Sequence, residues 1–366
     1  MNLNIKAIPL LIIAILSLFL GVWGGLLRIG WILPVINLHL IPLHGAIMVC
    51  GFLGTLICIE RAVAVNKIWA YISPLFSVIG IITLILINNL FLAKSFILLS
   101  SISLLAIFLY LLNKEKTINI FIMLVGVLSW ITGNLLWMLN YNIFQIVFWW
   151  ILFLLLTISG ERLELARLTN LGKDSKSYFI FTCLTSVIGL LITLINFDYG
   201  IKIFGLANIF FSIWLIRFDI AKRTIKSKGL TKFIASCLLS GYFWLCINGL
   251  IALYSGENLI ENYYDPFLHS FFLGFIFSMI FGHAPIIFPA VLKTQIIFSN
   301  RFYIHLVFLH LSLFLRILSK IFELNYLLKI STLLNAIALL IFLINTITSI
   351  KLNKNTINKK LETNTI

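Results

Sequence analysis

Six histidines are the residues of this chain best suited to chemistry, and two of them share one apolar stretch. Residues 265–293 are apolar enough to cross a bilayer, yet they carry His269 near one end and His283 near the other. Fourteen positions at 100° each return the two imidazoles to within about 40° of one helix face, roughly 21 Å apart. An ionisable group inside a membrane helix needs a partner, a cavity or a metal. Two on one face therefore predict one site in each half of the membrane. Pro285 and Pro289 follow, each removing a backbone donor, and they predict a kink at the far end of the helix.

The elements that must position these groups follow from composition. Of 366 residues, 61% are hydrophobic and 11% charged, with mean hydropathy +1.10, against about 25% charged in soluble domains. The expected class is all-α, a polytopic membrane helical bundle with lipid as its surroundings. A net charge of +15 would suggest nucleic acid in a soluble chain. Here the charges lie in short connections between apolar runs, where topology explains them, and no nucleic acid partner is expected. Windows of about twenty residues per crossing give about twelve transmembrane helices. Their expected limits are 8–28, 40–59, 70–88, 90–112, 118–138, 143–160, 178–196, 200–217, 231–254, 266–292, 302–322 and 325–350. The first run lacks a small-residue cleavage site and reads as a span. Residues 1–350 form one transmembrane domain, and 351–366, rich in Lys and Asn, read as a disordered cytoplasmic tail. The five cysteines fall in apolar runs without a C-x-x-C spacing and read as packing residues.

Connections on the side that holds both termini carry 21 Lys and Arg, and those on the other side carry four: Arg28, Lys94, Lys202 and Lys320. Both termini are therefore expected in the cytoplasm, in a multi-pass protein of the cytoplasmic (inner) cell membrane. This orientation gives the histidines depths. His39, His44 and His269 lie at the outer level, and His283 lies towards the cytoplasm. Span 11 runs outward, so His305 is near the inner face and His310 closer to the middle. Spans 2 and 6 each end inside with Glu-Arg, at Glu60-Arg61 and Glu161-Arg162. Arg301, His305, Ser312, Arg316 and Ser319 share one face of span 11, with Arg316 at the outer level beside Arg28.

Imidazoles from two helices in an apolar bundle suit a six-coordinate haem, whose axial positions they fill while the walls sequester the ring. His44 and His269 are the expected cofactor-binding pair, with Arg28 and Arg316 placed to neutralise propionates. The plainer alternative is interfacial histidines bonded to backbone or water. The inner group of His283, His305, Glu60 and Glu161, with His310 nearby, suits copper or another transition metal, or a proton relay. Its alternative is ion pairs at helix ends and a packed His310. Gly21, Gly24, Gly25, Gly51 and Gly54 read as surfaces for close helix contact. No nucleotide-binding loop, zinc-protease motif or nucleophile elbow occurs, so no catalytic residue is expected from motif alone.

Several segments, in order, resemble the NnrS-type family of haem- and copper-containing membrane proteins. His269, Gly274 and Met279 are similar to its H-A-L-x-x-G-x-x-x-x-M stretch. The region from His44 to Phe52, with Met48 and Gly51, resembles H-x-H-E-M-x-x-G-F. Gly241, Tyr242 and Trp244 resemble G-Y-x-W, and Leu315-Arg316 resembles L-R-x-L. The chain departs from the pattern in the wider spacing of His39 and His44 and in the missing glutamate. The resemblance implies a twelve-span bundle in the response to nitric oxide, with His44 and His269 inheriting the haem or metal role. A more remote likeness is to the core subunit of haem-copper oxidases, but the adjacent histidine pair of that core is absent.

These lines converge on a haem protein that binds, senses or redox-processes a small diatomic ligand such as nitric oxide, served by an electron donor. Two other readings remain. A secondary transporter or metal permease would use the same intramembrane Glu, Arg and His. A non-catalytic subunit of a respiratory membrane complex would co-purify with its partners.

Overall fold

Backbone in an apolar run has no water to bond, so each run satisfies its own N–H and C=O groups as a helix. A computed structural model of the protein describes residues 6–37, 40–87, 89–167, 171–292 and 295–351. Among the described residues, eleven helical segments are long and apolar enough to cross a membrane, which suggests an all-helical, multi-pass membrane protein. The first eight are α1 (Ala7–Arg28), α2 (Leu40–Val65), α3 (Ile68–Ile87), α4 (Leu90–Lys114), α5 (Ile118–Met138), α6 (Ile143–Ala166), α7 (Lys173–Ile192) and α8 (Phe197–Phe218). The ninth segment, Gly229–Phe288, is 60 residues long and doubles back on itself. Its arms are α9 (Gly229–Ser255) and α10 (264–292), and the chain reverses at Gly256, whose φ of +48° favours glycine. The last two are α11 (Phe302–Ile321) and α12 (Asn325–Thr348). A two-residue antiparallel ladder joins Gln295–Ile296 to Ile350–Lys351.

Close packing inside the hairpin shows why its glycines are there. A Cβ on Gly274 would stand 2.5 Å from the Cβ of Trp244, and one on Gly241 would meet the side chain of Met279. Buried polar groups tie neighbouring helices where lipid gives no hydrophobic drive. Asn248 of α9 donates to the Phe267 carbonyl of α10 (2.7 Å), and Trp150 of α6 donates to Asn134 of α5 (3.0 Å).

Among the described residues four stretches are π-helical, 83–87 of α3 and 259–263 before α10 included, and the two longest meet in the core. Residues 47–54 of α2 and 270–277 of α10 are π-helical, with i→i+5 bonding. Their rings Phe52 and Phe277 stack against each other, centroids 5.7 Å apart and planes at 18°. The π stretch of α10 lies between His269 and His283, so the 100°-per-residue extrapolation does not apply across it. α2 and α6 run six residues beyond the limits read from hydropathy, which put Glu60-Arg61 and Glu161-Arg162 at helix ends. The helices continue because Arg61 of α2 pairs with Glu161 of α6, and the charges are carried inside helical structure. His39, Lys293 and the tail beyond residue 351 lie outside the described residues.

Candidate functional site

α1, α2, α4, α5, α6, α10, α11 and α12 line a cavity of about 820 Å³, within the roughly 300–1,000 Å³ typical of small-molecule sites. His44, His269, Arg28 and Arg316 all line it, although they come from four helices spread over most of the chain. The structure thus brings the expected cofactor-binding residues together.

The two imidazoles are held alike. His44 Nδ1 donates to the Gly21 carbonyl (2.6 Å), and the ring packs on Gly25, where a Cβ would lie 3.0 Å from its Cε1. His269 Nδ1 lies 2.8 Å from the Asp265 carbonyl one turn back and 3.2 Å from Asp265 Oδ1. A carbonyl only accepts, so each Nδ1 carries a proton and Nε2 is the nitrogen left open to a ligand; Arg316 Nη1 also lies 3.4 Å from His269 Nδ1. Among the described residues neither Nε2 makes a hydrogen bond. Imidazoles that ligate metals are oriented by this kind of Nδ1 bond.

Arg316 is not a free cation. Its Nη1 donates to Oδ1 (2.7 Å) and Oδ2 (2.9 Å) of Asp265, and its Nη2 donates to Thr332 Oγ1 (2.9 Å). The Thr332–Arg316–Asp265 chain therefore braces His269 from α11 and α12. Sequence reasoning missed Asp265 and Thr332. The i,i+4 spacing of Asp265 and His269 was the available signal, whereas Thr332 carries none. It also counted Lys94 among loop charges. Lys94 sits inside α4, is 5% exposed and faces the cavity.

A second cavity, of about 150 Å³, lies beyond Leu53 and the Phe52–Phe277 stack; Leu53 lines both cavities. Glu60, Glu161 and His283 line it, and Arg61 pairs with Glu161 and lies 3.5 Å from Glu60. Both ring nitrogens of His283 are engaged: Nδ1 donates to the Met279 carbonyl (2.6 Å), and Nε2 accepts from Arg162 Nη2 (2.7 Å). Arg162 Nη1 stands 3.8 Å from Asp219 Oδ2, in a pair where both side chains are buried. Burial raises the Asp219 carboxyl above the usual carboxylate range, with Arg162 opposing.

His305 and His310 do not join His283. His305 is fully buried in a cage of Phe233, Phe281, Phe302 and Phe342, with ring centroids 4.6–5.9 Å away, and its Nδ1 lies 3.3 Å from Asn345 Nδ2. His310 Nδ1 accepts from Trp244 Nε1 (2.8 Å). The five residues expected to share an inner metal thus occupy three places. Among the described residues, no three His, Cys, Asp or Glu are grouped so as to hold a metal ion.

No curated protein matches the sequence. The sequence profile of a family described as a domain of unknown function (DUF8744) matches residues 7–351, nearly the whole chain, and the protein belongs to that family.

Proposed function

We propose that this is a haem-binding membrane protein whose larger cavity holds the haem between His44 and His269. The observation that carries the reading is the pairing of those imidazoles. They come from helices more than two hundred residues apart, face one cavity of about 820 Å³, and are each tied through Nδ1 with Nε2 uncommitted. The residues fit the group: two neutral nitrogen donors, mostly apolar walls and cationic side chains for carboxylates. When bound, haem would supply one-electron chemistry. His44 and His269 would fix its plane, Asp265 and Arg316 would hold His269 in one orientation, and the apolar walls would exclude water.

The α9–α10 hairpin counts as two crossings in this reading, which gives twelve with both termini cytoplasmic. The 21-to-four bias of Lys and Arg supports that orientation and a cytoplasmic membrane. The large cavity then lies in the outer half, and an electron donor would be needed for turnover. Nitric oxide as the diatomic ligand rests on the resemblance to the NnrS-type family. The second cavity does not fit copper or another metal, because His283 has no free nitrogen. Its Glu60 and Glu161 suit proton passage to the cytoplasm instead.

Optical spectra of the detergent-purified protein, oxidised and dithionite-reduced, with iron analysis on the same sample, test the reading. Sharp reduced bands with about one iron per chain are expected, and nitric oxide is then added. A colourless protein from haem-replete expression would sink it. One observation favours a transporter instead: two cavities meet at a stacked Phe pair on two interrupted helices, as in alternating-access proteins. Transport predicts substrate flux by a protein without cofactor.

A further inference from the structure

The charges around the larger cavity do not balance. Arg28, Lys94 and Arg316 face it, and among the described lining residues Asp265 is the single carboxylate. Both oxygens of Asp265 already accept from Arg316. Arg28 and Lys94 are left over.

Lys94 carries the argument. It lies one turn into α4, where a lysine near a helix end ordinarily extends its amine to water. Here the residue is 5% exposed, and its amine ends on Asn140, an exposed residue just past α5. Its Nζ donates to Asn140 Oδ1 (2.9 Å) and stands 5.6 Å from the Trp137 ring centroid. Asn140 follows α5 in the left-handed region, with φ +67°, a conformation Asn tolerates better than most residues. An ammonium group has three donors and one full charge. One amide oxygen and a ring face satisfy neither, and among the described residues no carboxylate pairs with it. A buried cation without a counter-charge is costly unless an anion arrives with the ligand.

We propose that Lys94, with the more exposed Arg28 on the same cavity, forms a carboxylate-binding subsite in the wall of the larger cavity and receives the carboxylates of the tetrapyrrole. The assignment rests on the haem reading and moves the propionate role from Arg316 to Lys94. Arg316 keeps a different role, bracing His269 through Asp265.

The test uses full-length protein made in a haem-deficient host and reconstituted in detergent with haem or with haem dimethyl ester, whose carboxylates carry no charge. Wild-type protein should bind the ester about tenfold or more weakly than haem, as expected for a lost charge-assisted bond. Lys94→Gln should bind haem about tenfold more weakly than wild type, keep the two-imidazole spectrum, and lose most of its preference for haem over the ester. Its midpoint potential should fall, because removing a nearby cation disfavours the more negative reduced state. Lys94→Arg should restore affinity and potential. Equal binding of haem and ester by wild-type protein would overturn the subsite, as would Lys94→Gln with unchanged affinity and potential. Should Lys94→Gln fail to fold, the ester comparison on wild type decides alone. A wild-type protein that binds no haem overturns the functional reading itself. Haem bound with no discrimination against the ester overturns only the subsite.

Discussion

His269 and His283 lie on one helix, fourteen residues apart, and begin from the same local geometry. Each Nδ1 bonds a carbonyl four residues back, Asp265 at 2.8 Å and Met279 at 2.6 Å, which leaves each Nε2 as the acceptor. They differ in what stands opposite. Nε2 of His269 makes no bond among the described residues, and its ring lines about 820 Å³. Nε2 of His283 accepts from Arg162, whose guanidinium has donors and no acceptor, beside about 150 Å³. Competence to ligate is therefore a property of the space facing Nε2, and residue type and helix depth do not decide it.

The largest expected effect separates the two histidines directly. His44→Ala or His269→Ala should reduce the haem-to-protein ratio, read from the Soret band, at least tenfold, whereas His283→Ala should leave it near wild type. Equal loss in all three variants would erase the distinction between the cavities. The next effect bears on Arg162. Arg162→Met removes one member of a buried pair and should cost about 3–5 kcal/mol, seen as a large fall in melting temperature in detergent. The pH dependence has a definite sign. Burial raises the folded pKa of Asp219 above its unfolded value, so its protonated form favours folding. The variant should be least destabilised near pH 4, close to the ordinary carboxylate pKa of about 3.9, and should lose stability as pH rises from there. Arg162→Met with Asp219→Asn should recover most of the loss. A single variant melting at the wild-type temperature would show that the pair does not stabilise the fold.

Much of this was legible because membrane crossings leave a long apolar signature: each expected span coincides with a helix, with ends that differ by at most six residues. His44, His269, Arg28 and Arg316 could be grouped because depth alone sorts residues once topology is known. Depth says nothing about rotation around a helix, and there the reading stopped. His305 and His283 share a level, yet one faces a phenylalanine cage and the other a cavity. The π stretches that turn α2 and α10 have no compositional mark, since i→i+5 winding arises from packing between helices. Lys94 looked like a loop charge because a lysine four residues from a helix start ordinarily reaches water. The Arg162–Asp219 pair joins residues far apart in sequence, and no local spacing announces it.

A smaller effect tests the brace behind His269. Asp265→Asn keeps the shape and removes the charge that Arg316 meets, and outer partners of this kind change ligand affinity about 10–100-fold. Haem retention should fall within that range. The stability loss should stay below the 3–5 kcal/mol of a fully buried pair, near 2 kcal/mol, because the Asp265 side chain is 37% exposed. Unchanged retention would assign the Asp265–Arg316 pair to folding alone.

The smallest effect is expected at His305, where the comparison is most easily broken. Its Nε2 is buried with no hydrogen-bond partner among the described residues, so the side chain already bears a desolvation cost. Replacing such a group by an apolar one of similar size is close to neutral or stabilising, whereas a true ligand cannot be lost without its metal. His305→Leu should therefore change stability by less than about 1 kcal/mol in either direction, with haem and total metal content as in wild type. Loss of any metal in this variant would mean that a histidine enclosed by four phenylalanines still reaches an ion. The space seen opposite Nε2 would then be no guide to ligation anywhere in the bundle, and His283 would return as a candidate ligand beside it.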